Sequence, residues 1–179
     1  MKLETKNMLL SSLFCAITVI CAQITIPAGT GTVCHSMAVV GVFLCGALLD
    51  AKYATLSMIV YILLGVCSLP VFARFTGGIG VLVGPTGGYI CAYPFMTFII
   101  AFICKSRKRK SFLILFLSML ISLVVCYLFG SVWLSFYSKI SFMAALMSGA
   151  LPFVVFDIMK ALLSAYICVF ILKRMKNRT

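Results

Sequence analysis

Two ionisable residues, Asp157 and Lys160, stand inside the apolar run GALPFVVFDIMKALLSAY that begins at Gly149. Three residues apart, they share one face of a helix and reach each other. A carboxylate and an ammonium at membrane depth each cost several kcal/mol or more unless they pair or face a cavity. The chemistry open to them is charge-assisted hydrogen bonding, the carboxylate accepting and the ammonium donating. That serves a small polar ligand, or equally an ion bridge between helices. A proton relay would need further titratable groups, and the apolar segments hold none besides this pair.

A second unusual stretch is VGPTGGYICAYPF, from Val83 to Phe95. Backbone that leaves the helix at membrane depth must be covered by protein or line a cavity. Gly87 and Gly88 permit close approach of backbone, and the free N–H groups at Thr86, Gly87, Gly88 and Tyr89 open a helix start that favours an anion. A plain re-entrant turn without a ligand would use the same residues. Arg74, in the glycine-rich stretch just before, adds a cation on the same side.

Other chemistries lack their parts. The chain has no G-x-x-x-x-G-K-[ST] phosphate loop, no H-E-x-x-H and no G-x-S-x-G, so no enzyme and no cofactor are expected. Its nine cysteines never fall at C-x-x-C spacing and His35 is alone, so neither a metal site nor a disulfide framework is indicated.

The elements that must position these residues follow from composition. With 64% apolar residues, 10% charged residues and a mean hydropathy of +1.22, the 179-residue chain is an integral membrane protein. Apolar runs predict an all-α fold of six transmembrane helices over Met8–Ile26, Ser36–Leu49, Tyr53–Leu69, Gly88–Cys104, Ser111–Phe136 and Ala150–Leu172. Residues 1–179 then form a single membrane domain. The first run is too long for a signal segment and is expected to stay as a span.

Basic residues orient the spans. With both termini cytoplasmic, the inner side holds Lys2, Lys6, Lys52, the run KSRKRK from Lys105 to Lys110, and the tail from Lys173 to Arg178. The outer side holds only Arg74 and Lys139. Between two spans KSRKRK is a topology determinant that meets anionic lipid headgroups, so the net charge of +12 does not imply a nucleic-acid partner. The glycine-rich helix start lies on the outer side. Asp157, seven residues into a span that begins at Ala150, is expected about 10 Å below the outer end. In the first span, Ser12 and Ala16 have the small-xxx-small spacing that admits another helix closely, from a partner or from the same bundle.

The residues alone leave three classes open: a solute-binding transporter subunit, a stand-alone secondary transporter or channel, and a structural or assembly protein. The absence of an obvious inverted repeat counts against the second.

The sequence also resembles a known family over nearly its whole length, through AQITIPAG (Ala22–Gly29), GALLDAKYATLSMIVYILLGVCSLPVFARFTGGIGVLVGPTGGYI (Gly46–Ile90) and FDIMKALLSA (Phe156–Ala165). These residues are similar to the BioY proteins, biotin-specific substrate-binding subunits of energy-coupling-factor transporters. Residues 29–37 and the Asp50-Ala51 pair depart from the family pattern. The resemblance implies a six-helix protein without catalysis that captures biotin from outside. It also implies partners that supply the energy, a membrane coupling protein (the T component) and two cytoplasmic ATPases. A stand-alone or secondary transporter of biotin or a related small carboxylated vitamin is the alternative.

On that resemblance, Asp157 and Lys160 match the ureido ring, and the carboxylate suits either the helix start at Thr86–Tyr89 or Arg74. Phe72, Tyr89 and Tyr93 cover the thioether ring. The reverse pose, with Lys160 on the carboxylate, fits the same residues. Ser12 and Ala16 would form the face that docks on the coupling protein.

Overall fold

The computed structural model describes residues 3–26, 35–106 and 111–176. Lys2, the stretch 27–34, the basic residues 107–110 and Arg178 lie outside the described residues. The chain begins with helix α1 (Leu3–Gln23) and a two-residue antiparallel ladder of β1 (Thr25–Ile26) with β2 (His35–Ser36). Helices α2 (Ala38–Leu48) and α3 (Ala51–Val66) follow, then a 3-10 turn (Ala73–Phe75) and the short α4 (Ile79–Val83). Next come α5 (Gly87–Cys91), α6 (Tyr93–Ser106) and α7 (Phe112–Ser138). The chain closes with α8 (Phe142–Gly149), a 3-10 turn (Leu151–Phe153) and α9 (Val154–Lys176). The fold is all-α.

Among the described residues four helical stretches are long and apolar enough to cross a membrane: Glu4–Gln23, Gly87–Lys105, Phe112–Ser138 and Phe142–Arg174. Helices α2 and α3 are apolar but shorter, 11 and 16 residues. α5 and α6 continue as one apolar rod because the Met96 N–H bonds Ala92 O at 2.9 Å across the junction, where Pro94 has no N–H to give. Large apolar side chains such as Leu13, Phe102, Ile121 and Tyr166 face outward. In water such a surface would be a liability, and in lipid it is the normal exterior. The chain is a multi-pass membrane protein.

The core runs between the helices and is made of medium-sized apolar residues, among them Phe43, Met58, Met96, Ile100 and Met119. α6 lies at its centre, packed on α2, α3 and α7, while α1 packs on α2 and α3, and α9 on α2 and α7. Ser57 Oγ donates to Ser11 O at 2.8 Å, tying the N-terminal half of α3 to that of α1. The N-terminal ends of α1 and α3 therefore share one end of the bundle. The opposite end gathers the C-terminal end of α1 and the N-terminal ends of α6 and α9.

The helix ends differ from the spans read in sequence, α1 for instance running Leu3–Gln23 rather than Met8–Ile26, and in the second half of the chain the differences have local causes. α7 reaches 27 residues, about 40 Å at 1.5 Å per residue, because Ser111 caps its start and Lys139 ends it in a left-handed conformation. The segment after it, expected as a loop, forms α8, started by Ser141, whose Oγ accepts from Ala144 N. Pro152 sits in the 3-10 turn, so regular helix resumes only at Val154. Asp157 accordingly stands in the first turn of α9 rather than two turns down a helix begun at Ala150.

Candidate functional site

Asp157 and Lys160 meet inside the bundle, 2% and 3% exposed. Lys160 Nζ donates to Asp157 Oδ1 at 3.1 Å and to the carbonyl oxygen of Ser36 at 2.9 Å. The other carboxylate oxygen, Oδ2, accepts from the Tyr127 hydroxyl at 2.6 Å. Helix α9 supplies the ion pair, α7 the phenol and β2 the carbonyl. Each carboxylate oxygen thus holds a donor, one neutral and one charged. The position of Asp157 in the first turn of α9 also favours its negative charge through the helix dipole.

Asp157 and Tyr127 open onto a cavity of about 370 Å³. Tyr61, Phe72, Tyr89, Tyr93, Val81, Ile90, Leu123 and Phe153 make its walls. Arg74, Thr76 and the turn Gly84-Pro85-Thr86 supply further polar lining. Phe72 meets Tyr61 edge-on, with ring centroids 5.5 Å apart, and Tyr61 Oη donates to Val71 O at 3.1 Å. The hydroxyls of Tyr89 and Ser131 are buried neighbours. An apolar, aromatic container with a few convergent polar groups is what a small amphipathic ligand requires.

The turn that lines the cavity is fixed from outside. Trp133 Nε1 donates to Gly84 O at 2.8 Å. A Cβ on Gly88 would overlap Trp133 Cβ and stand 2.8 Å from Phe129 O, so only glycine lets α5 lie this close to α7. The Tyr89 ring occupies a slot against Gly130 of α7, with its hydroxyl over Gly149 of α8. Among the described residues no group of His, Cys, Asp and Glu is placed to hold a metal ion.

The sequence profile of the BioY family matches residues 1–177. The chain belongs to the BioY family. It is 40% identical over 159 residues to a probable biotin transporter BioY of Pyrococcus horikoshii, covering 89% of this chain and 91% of that one. It is 38% identical over 162 residues to the biotin transporter BioY of Thermotoga maritima, covering 90% and 93%. The fold is similar to the crystal structure of the S-component for biotin from an ECF-type ABC transporter, with a TM-score of 0.88 at 30% identity, covering 95% and 92% of the two chains.

In this BioY-family chain Asp157, Tyr89, Thr86, Arg74, Phe72 and Tyr93 all line the cavity. Lys160 stands behind Asp157 rather than on the wall, and Gly87 and Gly88 are buried against Leu82 and α7. Ser12 and Ala16 are exposed and lie far from this site, in a separate groove between α1 and α3 with Cys15, Val19, Ile20, Val60 and Leu64. Sequence reasoning missed Tyr127 and Tyr61. The signal was there: a tyrosine inside an apolar helix seeks a partner for its hydroxyl.

Proposed function

We propose that this chain is the biotin-binding subunit of an energy-coupling-factor importer, capturing biotin at the outer face without catalysis of its own. Asp157, clamped by Tyr127 and Lys160 at the wall of an apolar cavity, is the observation that carries this reading. An ionised carboxylate so held accepts from the ureido N–H groups, with Lys160 as its buried counter-charge. The aromatic walls take the thioether ring, and Arg74 takes the valerate carboxylate. Thr86 lies on the cavity wall and contributes its polar group, whereas Gly87 and Gly88 act by bringing α5 against α7.

Both termini are cytoplasmic in this reading, supported by Lys6, Lys52, Lys105, Lys173 and Arg174 at the end of the bundle away from the cavity, where they meet anionic headgroups. The exposed groove at Ser12 and Ala16 is the face for the membrane coupling protein, whose two ATPases supply energy. Mass spectrometry of small molecules released from the gently purified chain, followed by titration, tests the proposal. One biotin per chain is expected. No co-purified biotin and no saturable binding would refute it, and gradient-driven biotin flux by the chain alone in liposomes would make it a stand-alone transporter instead.

A further inference from the structure

The segment that brings Phe72 and Arg74 to the cavity runs against its own backbone preferences. Arg74 and Phe75 both adopt left-handed conformations, with φ of 59° and 56°. Residues bearing a Cβ avoid this region, and consecutive examples persist only where the surroundings over-determine them. Part of the support is local: Phe72 N donates to Thr76 O at 3.0 Å, and Thr76 Oγ1 to Ala73 O at 2.8 Å. Tyr61 Oη holds the carbonyl of Val71 just before the arch, and a further anchor is a side chain at the end of α1. Gln23 Oε1 accepts from Phe75 N at 2.8 Å. Its Nε2 donates to Val19 O at 3.1 Å, which fixes the side chain to its own helix, and reaches Pro70 O and Val71 O at 3.5 Å. Gln23 is not part of the cavity wall.

A carboxamide suits this place because it offers an acceptor and two donors at once, so one group satisfies the N–H of a strained residue and the carbonyls leading into it. We infer that Gln23 is a positioning residue: it latches the Phe72–Thr76 arch to α1 and so holds the Arg74 guanidinium over the anionic end of the bound ligand. The inference rests on the biotin reading above and deepens it, assigning recognition of the carboxylate to an arch whose shape is set from outside the site. Without the latch the arch relaxes, Phe75 leaves the left-handed region, and Arg74 swings away from the cavity while Asp157 is untouched.

The test compares biotin with biotinol, in which a neutral hydroxymethyl group replaces the carboxylate, by equilibrium binding to the purified full chain in detergent. Gln23→Met keeps the volume and removes every polar contact. It should weaken biotin roughly tenfold, the scale of one charge-assisted contact, and change biotinol no more than about twofold. Arg74→Gln should show the same selective loss, and the double variant should be no weaker than Arg74→Gln alone, because both changes remove one interaction. If Gln23→Met fails to fold, Gln23→Asn, too short to span from α1 to Phe75, is measured in its place. Hydrogen exchange across residues 72–76 should rise at least tenfold in either variant. Equal weakening of both ligands, or an additive double variant, would overturn the latch. Wild-type chain that binds neither ligand would overturn the biotin reading along with it, whereas normal wild-type binding with an indifferent Gln23 variant overturns the latch alone.

Discussion

Replacing Asp157 with Asn keeps the shape of the side chain and removes its charge, and two quantities should respond differently. In the folded chain Lys160 is 3% exposed and pairs with Asp157 Oδ1 at 3.1 Å. The variant leaves the ammonium buried with the Ser36 carbonyl, and breaking one side of a buried pair costs about 3–5 kcal/mol. It also turns the 2.6 Å contact from Tyr127 into a neutral one, and hydrogen bonds to charged groups are worth about 1.5–3 kcal/mol. Thermal unfolding of Asp157→Asn in detergent should therefore show a large loss. Adding Lys160→Met removes the stranded charge and should recover at least half of it, by roughly 2 kcal/mol. Biotin affinity should behave otherwise, falling about 10- to 150-fold in Asp157→Asn and staying low in the double variant. A single variant as stable as the wild-type chain would refute the account of the ion pair. Recovery of biotin binding together with stability would show that the pair serves the bundle rather than the ligand.

Lys160→Ala should weaken biotin about 10- to 150-fold through the carboxylate it no longer holds, and unchanged titration curves would contradict that role. Tyr127→Phe deletes the contact to Asp157 Oδ2 without a large change in volume and should lower biotin affinity roughly tenfold, measured by titration calorimetry. Gly88→Ala places a methyl group on Trp133 and Phe129 O, and thermal unfolding should register a loss of about 1–3 kcal/mol. Ser12→Leu with Ala16→Leu fills the exposed groove far from the cavity. That variant should bind biotin normally, fail to co-purify with the membrane coupling protein and not support ATP-dependent uptake; loss of binding together with the complex would mean that these residues serve the bundle itself.

The Asp157–Lys160 contact was legible because charge is rare in an apolar helix and spacing alone sets which residues meet. The cavity-lining positions of Arg74, Thr86 and Tyr89 followed from where backbone leaves regular helix. Their neighbours were harder to read. Gly87 and Gly88 read as an anion-binding helix start, and spacing alone does not show that their missing Cβ atoms also serve close packing against Leu82 and Trp133. Tyr127 is one tyrosine within a long apolar run, and its partner lies 30 residues on. Gln23 sits 52 residues from the amide it accepts, a separation no local pattern reveals. The helix after α7 escaped because its apolar run is short and Pro152 hides the start of α9.

Tyr89 forms part of the cavity wall, yet its ring has glycine behind it on α7, at Gly130, while its hydroxyl lies over Gly149 of α8, which lines the cavity beside it. The aromatic wall is therefore backed by one missing side chain, and how far it stands out into the cavity depends on what Gly130 is replaced by. Alanine at Gly130 would push the ring inward and shrink the space for a ligand without altering a single polar contact to it. Ligand size can in this way be adjusted from behind the wall, at a residue that no ligand touches, while Asp157 and Arg74 continue to read the ends of the molecule.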